Sequence, residues 1–316
     1  MADKTVYKKK LITLLAIIAV LVLIYSTSLI IDAVRAGARS SMYVWLDSAD
    51  RADRITIRND TFDIELSKIN NRWFVLHNGQ EYPARQLRIE DFLGIFTERA
   101  AWPVRYTNAA SHARLGLDTN TASRVTIYAG NSVILDVLIG LDSTITNEIF
   151  IRRFGQNEVR SGNHFVASYV DSTVNSWYNL RLIPESETLS VDSVQRLSVY
   201  SPDQQQVFSR RNREWVISGI EVMNPDQNNI ENYIRTILHL EGEDFIAEVS
   251  PNDPMFDYGR FVLELGTGRI VSIRFSALFE TTSRRLAHVS GTDYVFLLPA
   301  WSSQWIFRTP SDFEMR

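Results

Sequence analysis

The amino-acid sequence predicts an α+β protein in which one N-terminal transmembrane helix precedes two duplicated domains, each a mostly antiparallel sheet with a helix. Three observations predict this class. An uncharged apolar run lies near the amino end, a strand–strand–helix pattern occurs twice, and tight turns join most strand signals. The predicted segments are a cytoplasmic basic tail (1–10), the transmembrane helix (11–31), a connector (32–53), the first domain (54–182), a linker (183–194) and the second domain (195–316).

The apolar run begins at Leu11, ends at Ile31 and carries no charged residue. About 20 apolar residues suffice for a helix to cross a bilayer. The run is preceded by Lys4, Lys8, Lys9 and Lys10. The positive-inside rule therefore leaves the amino end in the cytoplasm and the chain after Asp32 on the outer side.

A cleaved signal peptide is the alternative, because Ala36-Gly37-Ala38 follows the run and resembles a cleavage site. Two features favour an uncleaved anchor. The run is longer than the usual apolar region of about 7 to 15 residues, and Arg35 directly precedes the possible site.

The internal repeat lies after the anchor. A strand containing Trp73 precedes a helix introduced by Pro83, and about 140 residues later a strand containing Trp215 precedes a helix introduced by Pro225. This offset is far longer than a solenoid unit, so it indicates a duplicated domain.

Each predicted helix carries apolar residues at helical spacing, which gives it one face to bury against a sheet. These residues are Ile89, Phe92, Leu93 and Phe96 in the first copy, and Ile230, Tyr233, Ile234, Ile237 and Leu238 in the second. Strand signals that alternate apolar and polar residues are typical of half-buried antiparallel strands. The pair Asn70-Asn71 favours a hairpin turn between two such strands.

Composition limits the classes of function. The chain has 316 residues, of which 45% are hydrophobic and 22% charged, as in globular proteins. Its formal net charge of -4 gives no basic field, so nucleic acid is not an expected partner. It contains no cysteine, which excludes disulfides, thiolate metal sites and cysteine nucleophiles.

Several short motifs together resemble a known family. They are Asn71-Arg72-Trp73, Arg114-Leu115-Gly116-Leu117, Leu138-Ile139-Gly140, Ile149-Phe150-Ile151-Arg152 and Trp177-Tyr178-Asn179-Leu180-Arg181-Leu182. Together with the basic anchor, they resemble the bacterial domain of unknown function numbered 4340. The second copy departs from the family pattern, because Asp257-Tyr258-Gly259-Arg260 stands in place of the Arg-Leu-Gly-Leu motif.

The resemblance implies a single-pass envelope protein of the kind linked with ABC-2-type transporter permeases and gliding-motility auxiliary subunits. It brings no catalytic residue with it. We therefore expect a protein of the bacterial inner membrane, with its amino terminus in the cytoplasm and the bulk of the chain in the periplasm or another extracytoplasmic space.

The sequence contains no nucleophile-elbow, zinc-protease or phosphate-loop signature, and its five histidines lack the spacing of metal ligands. The acidic stretch 241–257 has enough carboxylates for a calcium site but lacks the order of a calcium-binding loop. A helix end followed by a solvated loop is the favoured interpretation. We therefore expect no enzyme activity, no cofactor and no bound metal.

Two groups of arginines are candidate interaction sites. Arg210, Arg211 and Arg213 form one predicted hairpin tip, and Arg284 and Arg285 form another. Either tip has the charge to meet an anionic polymer or a lipid head group, although charged hairpin tips are more often simply solvated.

Two tryptophans near the carboxyl end complete the candidate interaction surface. Trp301 and Trp305 are spaced as on one helical face, and we expect them to be exposed. Tryptophans at matched places of the two copies, such as Trp73 and Trp215, are expected in the core.

The leading expectation is a non-enzymatic, membrane-anchored accessory or scaffold subunit of a bacterial envelope complex, associated with an ABC transporter of the gliding-motility auxiliary type. Its partners would be the bilayer, through the run from Leu11 to Ile31, and a transporter permease or auxiliary subunit. The alternative is an extracytoplasmic module that binds an envelope polymer or a small ligand in the cleft between the two repeats. An enzyme of unrecognised type would require buried ionisable groups with perturbed pKa.

Overall fold

The computed structural model describes residues 18, 20–22, 25–27, 42–143, 148–184, 189–222 and 224–315. Residues 18, 20–22 and 25–27 are helical, and the rest of the predicted transmembrane helix lies outside the described residues, as does Ala36-Gly37-Ala38. Among the residues described, no helix combines the length and the apolar character needed to span a membrane.

The chain divides into two compact units, Met1–Trp177 and Tyr178–Arg316. Each unit is built on a sheet whose neighbouring strands are antiparallel, with few helices. The predicted α+β class with mostly antiparallel strands is therefore confirmed.

From residue 42 onward, the described part of the first unit contains a nine-stranded sheet, a two-stranded ribbon and two α-helices. Its elements are β1 Met42–Tyr43, β2 Arg54–Arg58, β3 Asp63–Ile69, β4 Arg72–His77, β5 Gln80–Pro83, α1 Gln86–Thr97, β6 Ala100–Ala101, β7 Val104–Tyr106, β8 Ser123–Ala129, β9 Ser132–Ser143, β10 Glu148–Arg153, β11 Val159–Asn163 and α2 Ala167–Val170. The ribbon pairs β1 with β6, and the sheet has the order β5-β4-β3-β2-β8-β9-β10-β11-β7.

Tight turns with left-handed residues join the first strands of this sheet. Asn70 and Asn71, between β3 and β4, have φ angles of 49° and 64°. Asn78 and Gly79, between β4 and β5, have φ angles of 51° and 75°. Two consecutive residues with positive φ give the twist that a two-residue hairpin needs, and asparagine and glycine adopt it most readily. The turn predicted at Asn70-Asn71 is confirmed.

Helix α1 buries the face that the sequence predicted, which consists of Ile89, Phe92, Leu93 and Phe96. The ring centroid of Phe92 lies 5.5 Å from that of Trp177 in an edge-to-face arrangement. The backbone oxygen of Trp177 accepts a hydrogen bond of 2.9 Å from the backbone N–H of Arg85, directly before the helix. Trp177 is therefore a core residue that holds the start of α1.

The second unit contains, within the residues described, an eight-stranded sheet and two α-helices. Its elements are β12 Val194–Tyr200, β13 Gln205–Arg211, β14 Glu214–Ser218, α3 Gln227–Leu238, β15 Asp244–Ile246, β16 Gly259–Leu265, β17 Ile270–Phe275, β18 Arg285–Val289, β19 Val295–Leu298 and α4 Ala300–Trp305. The sheet order is β14-β13-β12-β16-β17-β18-β19-β15.

Helix α3 has a side-chain cap at its start. The carboxylate of Asp226 accepts hydrogen bonds from the backbone N–H groups of Asn228 (2.9 Å) and Asn229 (3.3 Å), which have no partner within the helix. The helix buries the predicted apolar face of Ile230, Tyr233, Ile234, Ile237 and Leu238.

The two sheets share one strand order apart from a single strand. The series β4-β3-β2-β8-β9-β10-β11-β7 corresponds strand by strand to β14-β13-β12-β16-β17-β18-β19-β15. Strand β5 has no counterpart among the described strands of the second unit, so β14 ends its sheet.

In each unit, a glutamine at the start of the long helix binds the backbone of a strand. The side chain of Gln86 accepts a hydrogen bond from Trp73 N (2.9 Å) and donates one to Trp73 O (3.0 Å). Gln227 makes the same pair of bonds with Trp215, at 2.7 Å and 3.0 Å. A carboxamide has one acceptor and one donor at its end, so it reproduces the contacts of a neighbouring strand. We call each arrangement a glutamine clasp.

Candidate functional site

The short helix α4 carries the two tryptophans of the candidate surface. Trp301 is 63% exposed, whereas Trp305 is half-buried. Their ring centroids lie 5.9 Å apart with an interplanar angle of 27°, so the rings are nearly parallel. The i, i+4 spacing brings both side chains to one helix face. We call these two residues the tryptophan pair.

Trp305 also lines a groove of about 400 Å³. Helix α3 contributes Asn229, Asn232, Tyr233 and Thr236, and the chain after α4 contributes Arg308, Ser311, Asp312, Phe313 and Glu314. We call it the α3 groove. Its volume lies in the range of small-molecule sites, about 300–1,000 Å³, and most of its lining side chains are polar.

Tyr233 joins the helical side of the groove to the end of α4. Its side chain is buried, and its hydroxyl donates a hydrogen bond of 2.6 Å to the backbone oxygen of Ile306. Burial raises the pKa of the Tyr233 phenol far above its ordinary value, because the charged form has no water to solvate it. The hydroxyl therefore remains a donor throughout the physiological range.

Arg308 also lines the groove. Its backbone oxygen accepts hydrogen bonds from the side-chain amides of Gln204 (2.8 Å) and Gln206 (2.7 Å). Its guanidinium carbon lies 5.4 Å from the ring centroid of Trp305, and Nη1 lies 3.7 Å from Oδ1 of Asp312. The backbone is thus fixed, while the charged group is partly solvated and partly balanced by a carboxylate.

The base of helix α4 is held by buried polar groups. The hydroxyl of Ser303, which is fully buried, accepts a hydrogen bond of 3.0 Å from the backbone N–H of Arg285. The guanidinium of Arg285 donates to the backbone oxygens of Ser303 and Ser276, each at 2.9 Å. These bonds fix α4 on strand β18.

A comparison with protein families assigns the chain. The family model described as "Domain of unknown function (DUF4340)" matches residues 73–259. The chain belongs to the DUF4340 family. The match covers more than half of the sequence and extends from the first unit into the second. No curated protein and no solved structure matches the chain.

In this DUF4340 chain, two of the short family motifs contact each other: Arg114-Leu115-Gly116-Leu117 and Ile149-Phe150-Ile151-Arg152. Gly116 has a φ of 64° and ends a short 3₁₀ helix, with Leu115 and Leu117 buried on either side. The guanidinium of Arg152 donates to the backbone oxygen of Leu117 from Nε (3.1 Å) and Nη2 (2.9 Å). Burial lowers the pKa of Arg152. These two motifs therefore fix the loop around Gly116 onto strand β10.

The candidate arginines lie at the β13–β14 hairpin. Arg213 occupies the turn with a φ of 73°, and both Arg211 and Arg213 are exposed. Arg210 has Nη2 2.6 Å from Oδ1 of Asp192, and its guanidinium carbon lies 5.8 Å from the ring centroid of Trp215. Among the residues described, Trp305 lines the α3 groove but these three arginines do not. The three hairpin arginines and the tryptophan pair therefore occupy two different places.

The hairpin tip predicted at Arg284 and Arg285 is wrong for Arg285. This residue lies in strand β18 and is 7% exposed, and its guanidinium donates hydrogen bonds to backbone oxygens. Burial lowers its pKa. Arg284 pairs with Glu243 at 2.8 Å. The sequence interpretation missed β18 because a charged arginine is atypical of a strand in which every residue is buried.

The acidic stretch 241–257 is distributed among separate contacts. Glu241 pairs with Arg181 at 2.9 Å, and the carboxylate of Asp253 accepts a hydrogen bond of 2.9 Å from Met255 N. The part of the chain that the structure describes contains no group of three or more histidine, cysteine, aspartate or glutamate side chains arranged to hold a metal ion.

Sequence reasoning missed the polar lining of the groove. Asn229, Asn232 and Thr236 recur at i, i+3 and i+7 on α3, opposite its buried face. That spacing was readable as a polar helix face. No sequence pattern around Arg308 predicts its place in the groove, because only the fold brings this residue next to α3.

Proposed function

We propose that this chain is a non-enzymatic accessory or scaffold subunit of a bacterial envelope complex, held in the inner membrane by one helix and associated with an ABC transporter. Its amino terminus lies in the cytoplasm, and both units lie on the extracytoplasmic side. The observation that carries the proposal is the uncharged run from Leu11 to Ile31 behind four lysines. The association with a transporter rests on the family resemblance.

We also propose that the two units arose by duplication of one domain. Their shared strand order and the two glutamine clasps support this origin. A cation lies over the clasped tryptophan in both units. The Lys68 amine is 5.8 Å from the ring centroid of Trp73, and the Arg210 guanidinium carbon is 5.8 Å from that of Trp215.

The edge of strand β14 supports a role in binding a partner. In the first unit, the corresponding strand β4 is covered by β5. The backbone N–H and C=O of Trp215 point outward to Gln227, so the alternation of an antiparallel strand directs those of Ile217 outward too. A terminal edge of this kind can accept an extended strand from another protein.

The test is affinity purification of the full-length protein from its native membrane in mild detergent, followed by mass spectrometry. We expect transporter permease and ATPase subunits to copurify, and we expect deletion of residues 4–31 to abolish their recovery. Purification of the intact protein without these subunits would overturn the accessory role.

The contribution of the β14 edge is tested with Ile217→Pro, which removes the outward N–H at an edge position where proline is tolerated. The matched control is Ile217→Val, which keeps the N–H. We expect the first variant to reduce recovery of the transporter subunits and the second to retain it. Equal recovery with both variants would exclude the edge as the docking site.

A second candidate function is an extracytoplasmic module that binds an envelope polymer or a small ligand. The observation that favours it is the α3 groove with Trp305 in its lining. Ligand titration of the purified protein, without any membrane partner, separates this function from the accessory role.

A further inference from the structure

We propose that the α3 groove and the adjoining tryptophan pair form a binding site for a neutral oligosaccharide. This inference deepens the second candidate function by giving it a location and a ligand class. It does not depend on a transporter partner.

The tryptophan pair offers an exposed aromatic surface to a ligand. A single exposed apolar residue is ordinary on a protein surface, but Trp301 is 63% exposed and nearly parallel to Trp305. Keeping this apolar area in water has a free-energy cost, which a bound ligand would remove. Sugar rings have C–H faces that pack on aromatic rings, so the tryptophan pair suits them.

The polar lining of the α3 groove suits the hydroxyl groups of a sugar. Asn229, Asn232 and Thr236 supply amide and hydroxyl groups to the lining. Within α3, the Thr236 hydroxyl donates to Asn232 O (2.7 Å) and Asn232 Oδ1 accepts from the Arg235 guanidinium (2.6 Å). The amide N–H groups of Asn229 and Asn232 and the lone pairs of the Thr236 hydroxyl are therefore the groups that face a ligand. Sugar hydroxyls also donate and accept, so each can meet a partner of either kind. A lipid chain would leave the side-chain amide N–H groups of Asn229 and Asn232 unpaired, which is unfavourable.

The charge of the groove lining favours uncharged sugars over anionic ones. The groove contains the cation of Arg308, but Asp312 lies 3.7 Å from it and Glu314 adds a second carboxylate to the lining. The charged lining groups therefore sum to a small negative value at neutral pH. A polyanionic chain would be repelled, whereas an uncharged sugar would not.

The site is also rigidly supported. Arg285 and Ser303 fix helix α4 on the sheet, and Tyr233 joins α3 to Ile306. Side chains held in place by such contacts lose little freedom when a ligand binds, which favours affinity.

The experiment uses the full-length protein in a polyoxyethylene detergent, because detergents with sugar head groups would compete. Chitotetraose, cellotetraose and maltotetraose are titrated while tryptophan fluorescence is recorded, and tetragalacturonate serves as the anionic comparator. We expect saturable binding of at least one neutral tetrasaccharide and weaker binding of the anionic one.

Asn232→Ala tests the assignment to the α3 groove, and Trp301→Ala tests the part of the tryptophan pair. We expect each to weaken the affinity at least about tenfold, as for a central contact residue. Trp301→Ala should keep the wild-type unfolding temperature, because the side chain is exposed. The control is Phe165→Ala, which removes a 62% exposed aromatic residue of the first unit and should leave the affinity unchanged.

Three results would overturn the proposal: binding of none of the neutral sugars by the wild-type protein, preferential binding of tetragalacturonate, or wild-type affinity in both groove variants. Because no transporter subunit is present, failure here leaves the copurification test of the accessory role unaffected.

Discussion

At the scale of single residues, Tyr233 connects stability to pH. Its ring is buried in α3, its hydroxyl donates to Ile306 O, and burial raises its pKa well above the ordinary value near 10. Above that pH the unfolded chain releases the phenolic proton, whereas the folded chain keeps it. The unfolded state then binds fewer protons, so the free energy of unfolding falls as pH rises.

We predict that Tyr233→Phe lowers the unfolding temperature at neutral pH, because it removes one hydrogen bond worth about 1 kcal/mol. We also predict that raising the pH above ~10 lowers the free energy of unfolding less in the variant than in the wild type. The raised pKa of Tyr233 makes the wild-type free energy of unfolding fall by up to about 1.4 kcal/mol per pH unit, and the variant lacks this group. Thermal unfolding of the full-length wild type and variant, compared between neutral and alkaline pH, measures both effects. Identical alkaline slopes would contradict the assigned pKa shift.

Arg285 is the second instructive residue. From the sequence, its charge and its neighbour Arg284 indicated a solvated tip. In the fold, a strand on either side of β18 and helix α4 enclose it, and backbone oxygens of Ser276 and Ser303 receive its N–H groups. A buried arginine can be tolerated when its donors are satisfied, and no local pattern reports whether acceptors will be near.

At the scale of elements, the glutamine clasps join a helix to a strand in each unit. Trp73 is clasped in a strand whose edge also pairs with β5, whereas Trp215 is clasped in the terminal strand β14. In the second unit, the clasp therefore adds side-chain contacts to a strand that has only one neighbour among the described strands. The Trp and Gln positions recur in both units, but their contact is not evident from helical or strand periodicity.

We predict that Gln227→Ala destabilises the protein by about 2 kcal/mol, because two hydrogen bonds are lost and the backbone groups of buried Trp215 are left unpaired. The control is Gln195→Ala, which truncates an exposed glutamine of β12. The unfolding temperature of each variant provides the measurement. A Gln227→Ala protein as stable as the control would show that the clasp adds nothing to stability.

Hairpins at this scale were partly readable. Asn70-Asn71 was recognised as a turn, but the Asn78-Gly79 pair was missed even though Asn-Gly is among the strongest local hairpin signals. Strand β5, which follows that pair, was missed with it. This strand lies beside β4 in the first sheet, whereas β14 has no such neighbour among the described strands of the second. Without β5, nothing in the sequence indicates that β4 and β14 differ in this way.

At the scale of the whole molecule, the proposed topology makes a prediction that the cysteine-free chain can test cleanly. Ala2→Cys and Asp203→Cys each introduce a single thiol, the second at an exposed position of the second unit. In cells whose outer membrane has been permeabilised, a membrane-impermeant maleimide should label the second variant and not the first. Lysis should make both reactive.

Labelling of Ala2→Cys before lysis, with Asp203→Cys protected, would reverse the proposed orientation. An intact mass that corresponds to a mature chain starting after Ala38 would favour the signal peptide and contradict the anchor. An intact mass together with the expected labelling supports one cytoplasmic end and two outer units.

The sequence by itself determined the family, the α+β class and the buried faces of both long helices. The class and the helix faces depend on short-range periodicity and turn chemistry, and the family is indicated by the resemblance of short motifs; all of these are local features of the sequence. Only the tertiary structure decided which polar groups meet. Arg308, Trp305 and Asn232 line one groove, while Arg285 is enclosed, because strand pairing and helix packing bring together residues from distant parts of the sequence.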